Sequence, residues 1–343
     1  MTELDDFAAS IRAYCRKRLP EPTLARPGRI RDADSAREQW HQVTTELGLG
    51  ALLIPDAFGG ASASLVEAGR AAEALGAELA AVPFLSAGVL APALLTSLVA
   101  DDADSPAADL LAGLASGHRI VAVAWLGDHP TYHYVIDADI ADVIVVVHGD
   151  RIAVAGDPVV TPRVSFDLTR GFADVVVGDA PGTVLASGDA ARTAVRRMLA
   201  GGRLAVAAEC AGGARAALDH AVDYAKQRVQ FGREIGSFQA IKHMLADCYV
   251  AAESALSTAR QAIAAHVDGA PDADELLALA AFYCPDLFAD VAAANIQVHG
   301  GMGFTVECGA HLYRRRAESD RHIFNEPAQL RAEYLHLVAG STS

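Results

Sequence analysis

Apolar residues recur at helical spacing through the first ~115 residues. Leu4, Phe7, Ile11 and Cys15 share one face behind Thr2, a natural N-cap. Asp34 or Ser35 opens a second helix with Trp40, Val43 and Leu47 inward and Gly48 ending it. A glycine turn at Phe58-Gly59-Gly60 precedes a helix from Ser64 to about Leu79, before Pro83. Near His118 the period changes. Short β-branched runs follow at Ile120 to Trp125, Val143 to Val147, Ile152 to Ala155, Val164 to Phe166 and Val175 to Val177. Gly149-Asp150 and Asp157-Pro158 separate some of them, which predicts a small antiparallel sheet. Helical spacing returns from about Asp189 to Gln227. Gly201-Gly202 and Gly212-Gly213 interrupt it, each glycine costing roughly 1 kcal/mol against alanine, offset by close helix approach. Further helices start near Ser237 and at a capping box spanning Asp272 to Glu275; Pro285 predicts a break or kink in the latter. A last helix follows Asn325. Helices, then strands, then helices describe a segregated α+β chain, mostly α, divided at 1–115, 116–188 and 189–343.

Composition narrows the function classes. The 343 residues are 52% hydrophobic and 21% charged, a globular balance with room for two or three domains. The net charge of -15 leaves no basic face for nucleic acid. An anionic ligand must therefore be held by a few placed arginines and backbone amides. Met1 leads directly into an acidic amphipathic stretch, so no secretory signal is expected, and no apolar run reads as long enough for a bilayer. The cysteines at 15, 210, 248, 284 and 308 are scattered and odd in number. Reduced, mostly buried cytosolic thiols and no metal site are expected.

Two segments stand out from the alanine-rich background. One runs from Tyr224 through Arg228-Val-Gln-Phe231-Gly232 to Phe238-Gln239; the other is Gln297-Val-His-Gly300-Gly301-Met-Gly303-Phe304. The first sets an arginine, an aromatic and a glycine at a helix end, and the second ends a helix on a double glycine. Such glycines admit a ligand close to the backbone, and a nearby arginine suits a pyrophosphate. Each feature also has a plain structural reading. Arg228 complements a helix dipole, Gly300-Gly301 is a C-cap, and Phe231 is core.

Taken together, these segments resemble the C-terminal signature of the acyl-CoA dehydrogenase family: Arg-x-x-Phe-Gly, then Phe-Gln, then Gln-x-x-Gly-Gly-x-Gly. Leu47-Gly48-Leu49-Gly50 through Phe58-Gly59-Gly60 and Phe166-Asp167-Leu168-Thr169-Arg170 are similar to further family motifs. The resemblance spans nearly the whole chain. It implies an N-terminal helical domain, a middle β domain and a C-terminal four-helix-bundle domain. The implied chemistry is FAD-dependent α,β-dehydrogenation of an acyl-CoA thioester, with an electron-transfer flavoprotein as acceptor and a cytoplasmic setting. It also implies that Arg228 and Phe231 reach a neighbour's FAD, at its pyrophosphate and nucleotide. Gln239 is the motif glutamine, and Gln297, Gly300 and Gly301 meet the adenosine side.

The base is where the pattern fails. A weakly acidic α-proton needs a desolvated, well-aimed carboxylate. Family members carry it in a Tyr-Glu-Gly-Thr stretch; here Arg321-His-Ile-Phe324-Asn325-Glu326-Pro327 places Asn325, a candidate N-cap, at that position. A second family branch carries it on the long helix, where this chain has Gly202. Glu326, one residue away, is the rescue candidate. The flavin-contacting turn and strand motifs are also lost, at Ala122 to Pro130 and Tyr134 to Asp137, and Trp125 there reads as core. An intact half serving a neighbour beside a degraded half of its own resembles the short subunits of actinobacterial α2β2 acyl-CoA dehydrogenases, several acting on steroid side chains. That implies a paralogous catalytic partner subunit. The alternatives are a self-sufficient homotetramer using Glu326 and a flavin-free CoA-thioester-binding scaffold.

Overall fold

The computed structural model describes residues 2–20, 31–99, 105–178 and 182–341; Met1, on which the reading of the N-terminus rests, lies outside them. Helix α1 (Glu3–Arg18) carries the capping box, Thr2 and Asp5 each accepting from the other's backbone N–H. Helix α2 (Ala33–Leu47) starts before the expected Asp34, because the Asp32 carboxylate accepts from Asp34 N. Gly48 closes it at φ 72°. Helix α3 (Leu65–Ala77) has a second capping box, Ser64 with Glu67. After Pro83 come a π-helical turn (Phe84–Leu90), α4 (Ala91–Thr96) and α5 (Pro106–Ala115).

The middle segment holds β1 (Val121–Ala124), β2 (Gly127–Asp128), β3 (Thr131–Ile136), β4 (Val143–His148), β5 (Arg151–Val154), β6 (Val159–Arg163), β7 (Phe172–Val176) and β8 (Val184–Ser187). The single antiparallel sheet expected from the pattern is two sheets, ordered β1-β4-β5-β8 and β2-β3-β7-β6. β1 and β4 run parallel, because the intervening β2–β3 ribbon leaves for the other sheet. Val121 and Val123 of β1 face the helical core while Ala122 and Ala124 face the second sheet. Burial on both faces explains why β1 reads as an unbroken apolar run. Val164 to Phe166 is not a strand. Both end residues are exposed, and the edge strand β6 lies just before them, with Pro162 tolerated at the edge.

Beyond β8 come α6 (Gly188–Gln227), a hairpin β9 (Val229–Gln230) and β10 (Arg233–Glu234), α7 (Gln239–Asp268), α8 (Ala273–His299), α9 (Ala310–Asp320) and α10 (Pro327–Ser341). Helix α6 is the axis and packs on α3, α7 and α8. A Cβ at Gly212 would fall 1.9 Å from the Glu73 carbonyl oxygen, so the α3–α6 crossing admits only glycine there. Three expectations for the later helices fail. Asp272 makes no side-chain cap. Pro285 does not break α8, because fully buried Cys284 and Phe288 hold the turn, the thiol donating to Ala255 O at 3.4 Å. And the segment Ala273–Phe304 does meet the length and composition for crossing a bilayer, with half of its apolar window buried inside the protein. An alanine-rich core helix passes that test on length and composition alone, and α6, α7, α9 and α10 pack against this one.

Gly212→Ala is expected to destabilise the chain by roughly 1–3 kcal/mol through overpacking, despite alanine's better helix propensity. A urea midpoint lowered at unchanged slope is the expected reading; a raised midpoint would mean the helices yield.

Candidate functional site

The two signature segments meet at one end of the bundle. Arg228 is the C-cap of α6, already extended, with its N–H on Tyr224 O. The β9–β10 hairpin turns on Phe231 and Gly232, at φ 54° and 77°. Both central residues lie at positive φ, the primed hairpin geometry that favours Asn-Gly. Holding phenylalanine there costs about 1–2 kcal/mol, yet its ring is 91% exposed, so the core reading of Phe231 is wrong. The ring stands edge-on to Phe238 at 6.2 Å, and Arg233 caps Phe238 at 4.0 Å. Gln239, the first residue of α7, meets His243 Nε2 at 2.8 Å. In the second segment Gly300 adopts φ 58°, ψ -137°, a glycine-only conformation, and starts a 3-10 turn to Phe304. Arg228, Phe231, Gln239, Gln297, Gly300 and Gly301 are all exposed. Below them His299 stacks on Tyr224 at 4.1 Å, and Val298 joins Ala221 and Ala225, fastening the end of α8 to the end of α6.

A cavity of about 480 Å³ lies between β3, Phe172 and the α9–α10 junction. Glu326 lines it, exposed, with His322 Nδ1 3.3 Å from its carboxylate. Trp125 also lines it and stacks on Phe324 at 5.9 Å; its buried Nε1 has no hydrogen-bond partner among the described residues. Tyr134, at the cavity on the bulge in β3, is held at φ 51°. A Cβ at Gly202 would come within 2.5 Å of both Leu90 Cδ2 and Phe324 Cζ, so a side chain there requires those two side chains to move. Asn325 is not the expected N-cap. Helix α10 begins at Pro327, so that place falls to Glu326, whose carbonyl accepts from Gln329 and Leu330.

Sequence reasoning missed the charged cluster behind the cavity. Arg170 Nη2 meets Glu209 Oε1 at 2.7 Å and Asp320 Oδ1 at 2.9 Å. Arg316 pairs with Glu209, with Asp167 at 3.0 Å, and donates to Thr169 Oγ1. All five charged side chains are nearly fully buried. Burial raises the Glu209 carboxyl, but the two guanidiniums outweigh it and hold it below its ordinary value. Asp320 goes the other way: burial, reinforced by the Glu209 charge, pushes it up to about 8. The Phe166–Arg170 motif held a hint, but Glu209, Arg316 and Asp320 sit on helices remote in sequence.

Comparison with known proteins gives these features a family. The N-terminal domain model of acyl-CoA dehydrogenase matches residues 1–116 and its C-terminal domain model matches 192–323. Acyl-CoA dehydrogenase IpdE2 of Mycolicibacterium smegmatis is 32% identical over 293 residues, 84% of each chain. In structure the chain resembles the ChsE4-ChsE5 complex of Mycobacterium tuberculosis, with TM-score 0.83 and 22% identity over 99% of this chain and 98% of that one. It also resembles the Tcur3481-Tcur3483 steroid ACAD G363A variant, with TM-score 0.80 and 24% identity over 99% and 98%. The chain belongs to the acyl-CoA dehydrogenase family, whose members are FAD-dependent flavoproteins.

The raised Asp320 fixes a sign. Between its unfolded value near 4 and its folded value the native chain keeps a proton that the unfolded chain has released. Its contribution to stability is therefore full below about pH 4 and falls as pH rises, by at most about 1.4 kcal/mol per pH unit, levelling above the folded value. Asp320→Asn lacks this term. Urea midpoints should show the wild type losing ground to the variant between about pH 5 and pH 8. A pH-independent gap would mean that Asp320 is already ionised.

Proposed function

We propose that this chain is the non-catalytic, required subunit of a heteromeric acyl-CoA dehydrogenase that lends the nucleotide-facing half of an FAD site to a paralogous catalytic partner. The carrying observation is the contrast between the two ends. The signature residues Arg228, Phe231, Gln239, Gln297, Gly300 and Gly301 face outward from the helical segment 189–343. The chain's own cavity offers a Trp125–Phe324 stack and a carboxylate tied to an imidazole.

The outer residues suit FAD. Arg228 is an exposed guanidinium for a pyrophosphate. A Cβ added at Gly300 or Gly301 would meet nothing within 4 Å, so the backbone there is approachable. Bound in the assembled site, FAD supplies the hydride acceptor. This chain's part is to bind and orient: Arg228 neutralises phosphate charge, Phe231 covers an apolar face, and Gln239 and Gln297 hydrogen-bond. The cavity suits a flavin and base less well. Gly202 carries no side chain to act as base, and Asn325 carries no carboxylate. The substrate in this reading is an acyl-CoA thioester, a steroid side-chain ester among the candidates. The electron acceptor is an electron-transfer flavoprotein, and the setting is the cytoplasm. IpdE2, a steroid ACAD and a two-component ChsE4-ChsE5 complex among its relatives and structural neighbours support that direction.

One observation favours a second reading, a self-sufficient homotetramer: Glu326 lines the cavity. Against it stand its exposure and its pairing with His322, since a base for an α-proton needs desolvation.

Arg228→Ala should weaken FAD binding in the assembled complex by roughly 10- to 150-fold, the worth of a charge-assisted contact of about 1.5–3 kcal/mol, while circular dichroism stays unchanged. Unaltered flavin affinity would remove Arg228 from the site. Glu326→Gln should leave the rate of flavin reduction by acyl-CoA nearly intact in rapid mixing. A fall of about 10²-fold or more, with flavin still bound, would move the base into this chain and establish the second reading. A complex that never takes up FAD with any partner would favour a scaffold.

A further inference from the structure

Directly beneath the nucleotide-facing loop, His220 of α6, His299 at the end of α8 and Cys308 in the loop before α9 converge. One ligand-capable atom from each lies within 4.8 Å of the others. Their sequence separations hide this, because the three come from different elements. His299 and Cys308 are buried and His220 is half-buried. His299 Nδ1 lies 2.9 Å from the Asn295 carbonyl oxygen, which selects the Nδ1–H tautomer and leaves the Nε2 lone pair free. That carbonyl is the usual kind of outer partner for a metal-binding histidine. A buried polar side chain lies beside the triad. Asn295, 1% exposed, sets its side chain beside His220 within hydrogen-bonding reach.

We propose that His220, His299 and Cys308 form a binding site for a divalent cation of the zinc class, with water in the fourth position. Two imidazoles and a thiolate are the borderline-soft donor set that zinc takes. Tetrahedral coordination with bonds of about 2.0–2.3 Å sets the ligand atoms roughly 3.3–3.6 Å apart. The triad must therefore close by about 1 Å. The imidazoles of His220 and His299 stack at 4.4 Å with 20° between planes, so closure turns one ring about χ2. The cation would join the ends of α6 and α8 to the 300–309 loop, and so fix Arg228 relative to Gly300 and Gly301. It takes no part in the redox step.

Cobalt(II) is the optical probe, added to the purified full chain. The expected result is one equivalent bound, with tetrahedral visible bands and a thiolate-to-cobalt charge-transfer band in the near ultraviolet. Cys308→Ser should lose the charge-transfer band and weaken binding by at least the roughly 10- to 100-fold that even an outer partner is worth. Zinc should raise the thermal midpoint of the wild type and not that of Cys308→Ser. Circular dichroism of Cys308→Ser separates lost binding from lost fold. If Cys308→Ser misfolds, His220→Asn takes its place in the same comparison. A folded wild type without a charge-transfer band at saturating cobalt overturns the site. So does a band that survives Cys308→Ser.

Discussion

Arg170 and Arg316, shut away from water among Asp167, Glu209 and Asp320, tie together three parts of the chain that are remote in sequence. Asp167 and Arg170 come from the loop between β6 and β7, Glu209 from the middle of α6, and Arg316 with Asp320 from adjacent turns of α9. Charges taken out of water are tolerable only when paired and hydrogen-bonded. Removal of one partner leaves an uncompensated buried charge costing roughly 3–5 kcal/mol. Alternative placements of the strands over the helices are therefore penalised. Arg315, next in chain, donates to Phe166 O at 2.8 Å and lies over that ring at 4.7 Å, so α9 clasps the loop from two sides. The cavity has one wall in β3 and Phe172 and another at the end of α9, and its shape follows from this clasp.

A second anchor acts nearer the N-terminus. Arg31 binds Asp137 at 2.8 Å and Asp139 at 2.7 Å, and Ser86 donates to the other oxygen of Asp137 at 2.6 Å. The segment before α2, the π-helical turn and the end of β3 are thereby joined. Both anchors are arginine-centred, as suits a planar fork meeting several acceptors at once.

The sequence carried the helices well where their signals were local. Thr2, Ser64 and Gly48 act at the ends where their side-chain chemistry or backbone freedom predicts. It failed where tertiary contacts outweigh local preference. Pro285 stays helical because packed neighbours hold it, and Asn325 yields the cap position because α10 starts later. The two-sheet arrangement could not be read from runs of valine and isoleucine, since pairing partners depend on which connection crosses over. Of the candidate residues, those in the two signature segments were legible because glycine, aromatic and arginine spacing is local. The buried charges and the His220–His299–Cys308 group were not, because each draws single residues from separate helices and loops.

The hairpin tip has a consequence for how subunits would meet in the proposed complex. Phe231 is held upright by its turn and by its edge contact with Phe238 before anything covers it. Ordering such a side chain at the moment of contact would cost about 0.5–1.5 kcal/mol. Here that loss of freedom belongs to folding. In the proposed complex, encounter would then select more among orientations of whole subunits than among backbone shapes of this loop. Partner choice there would rest in part on a backbone conformation that phenylalanine rarely adopts.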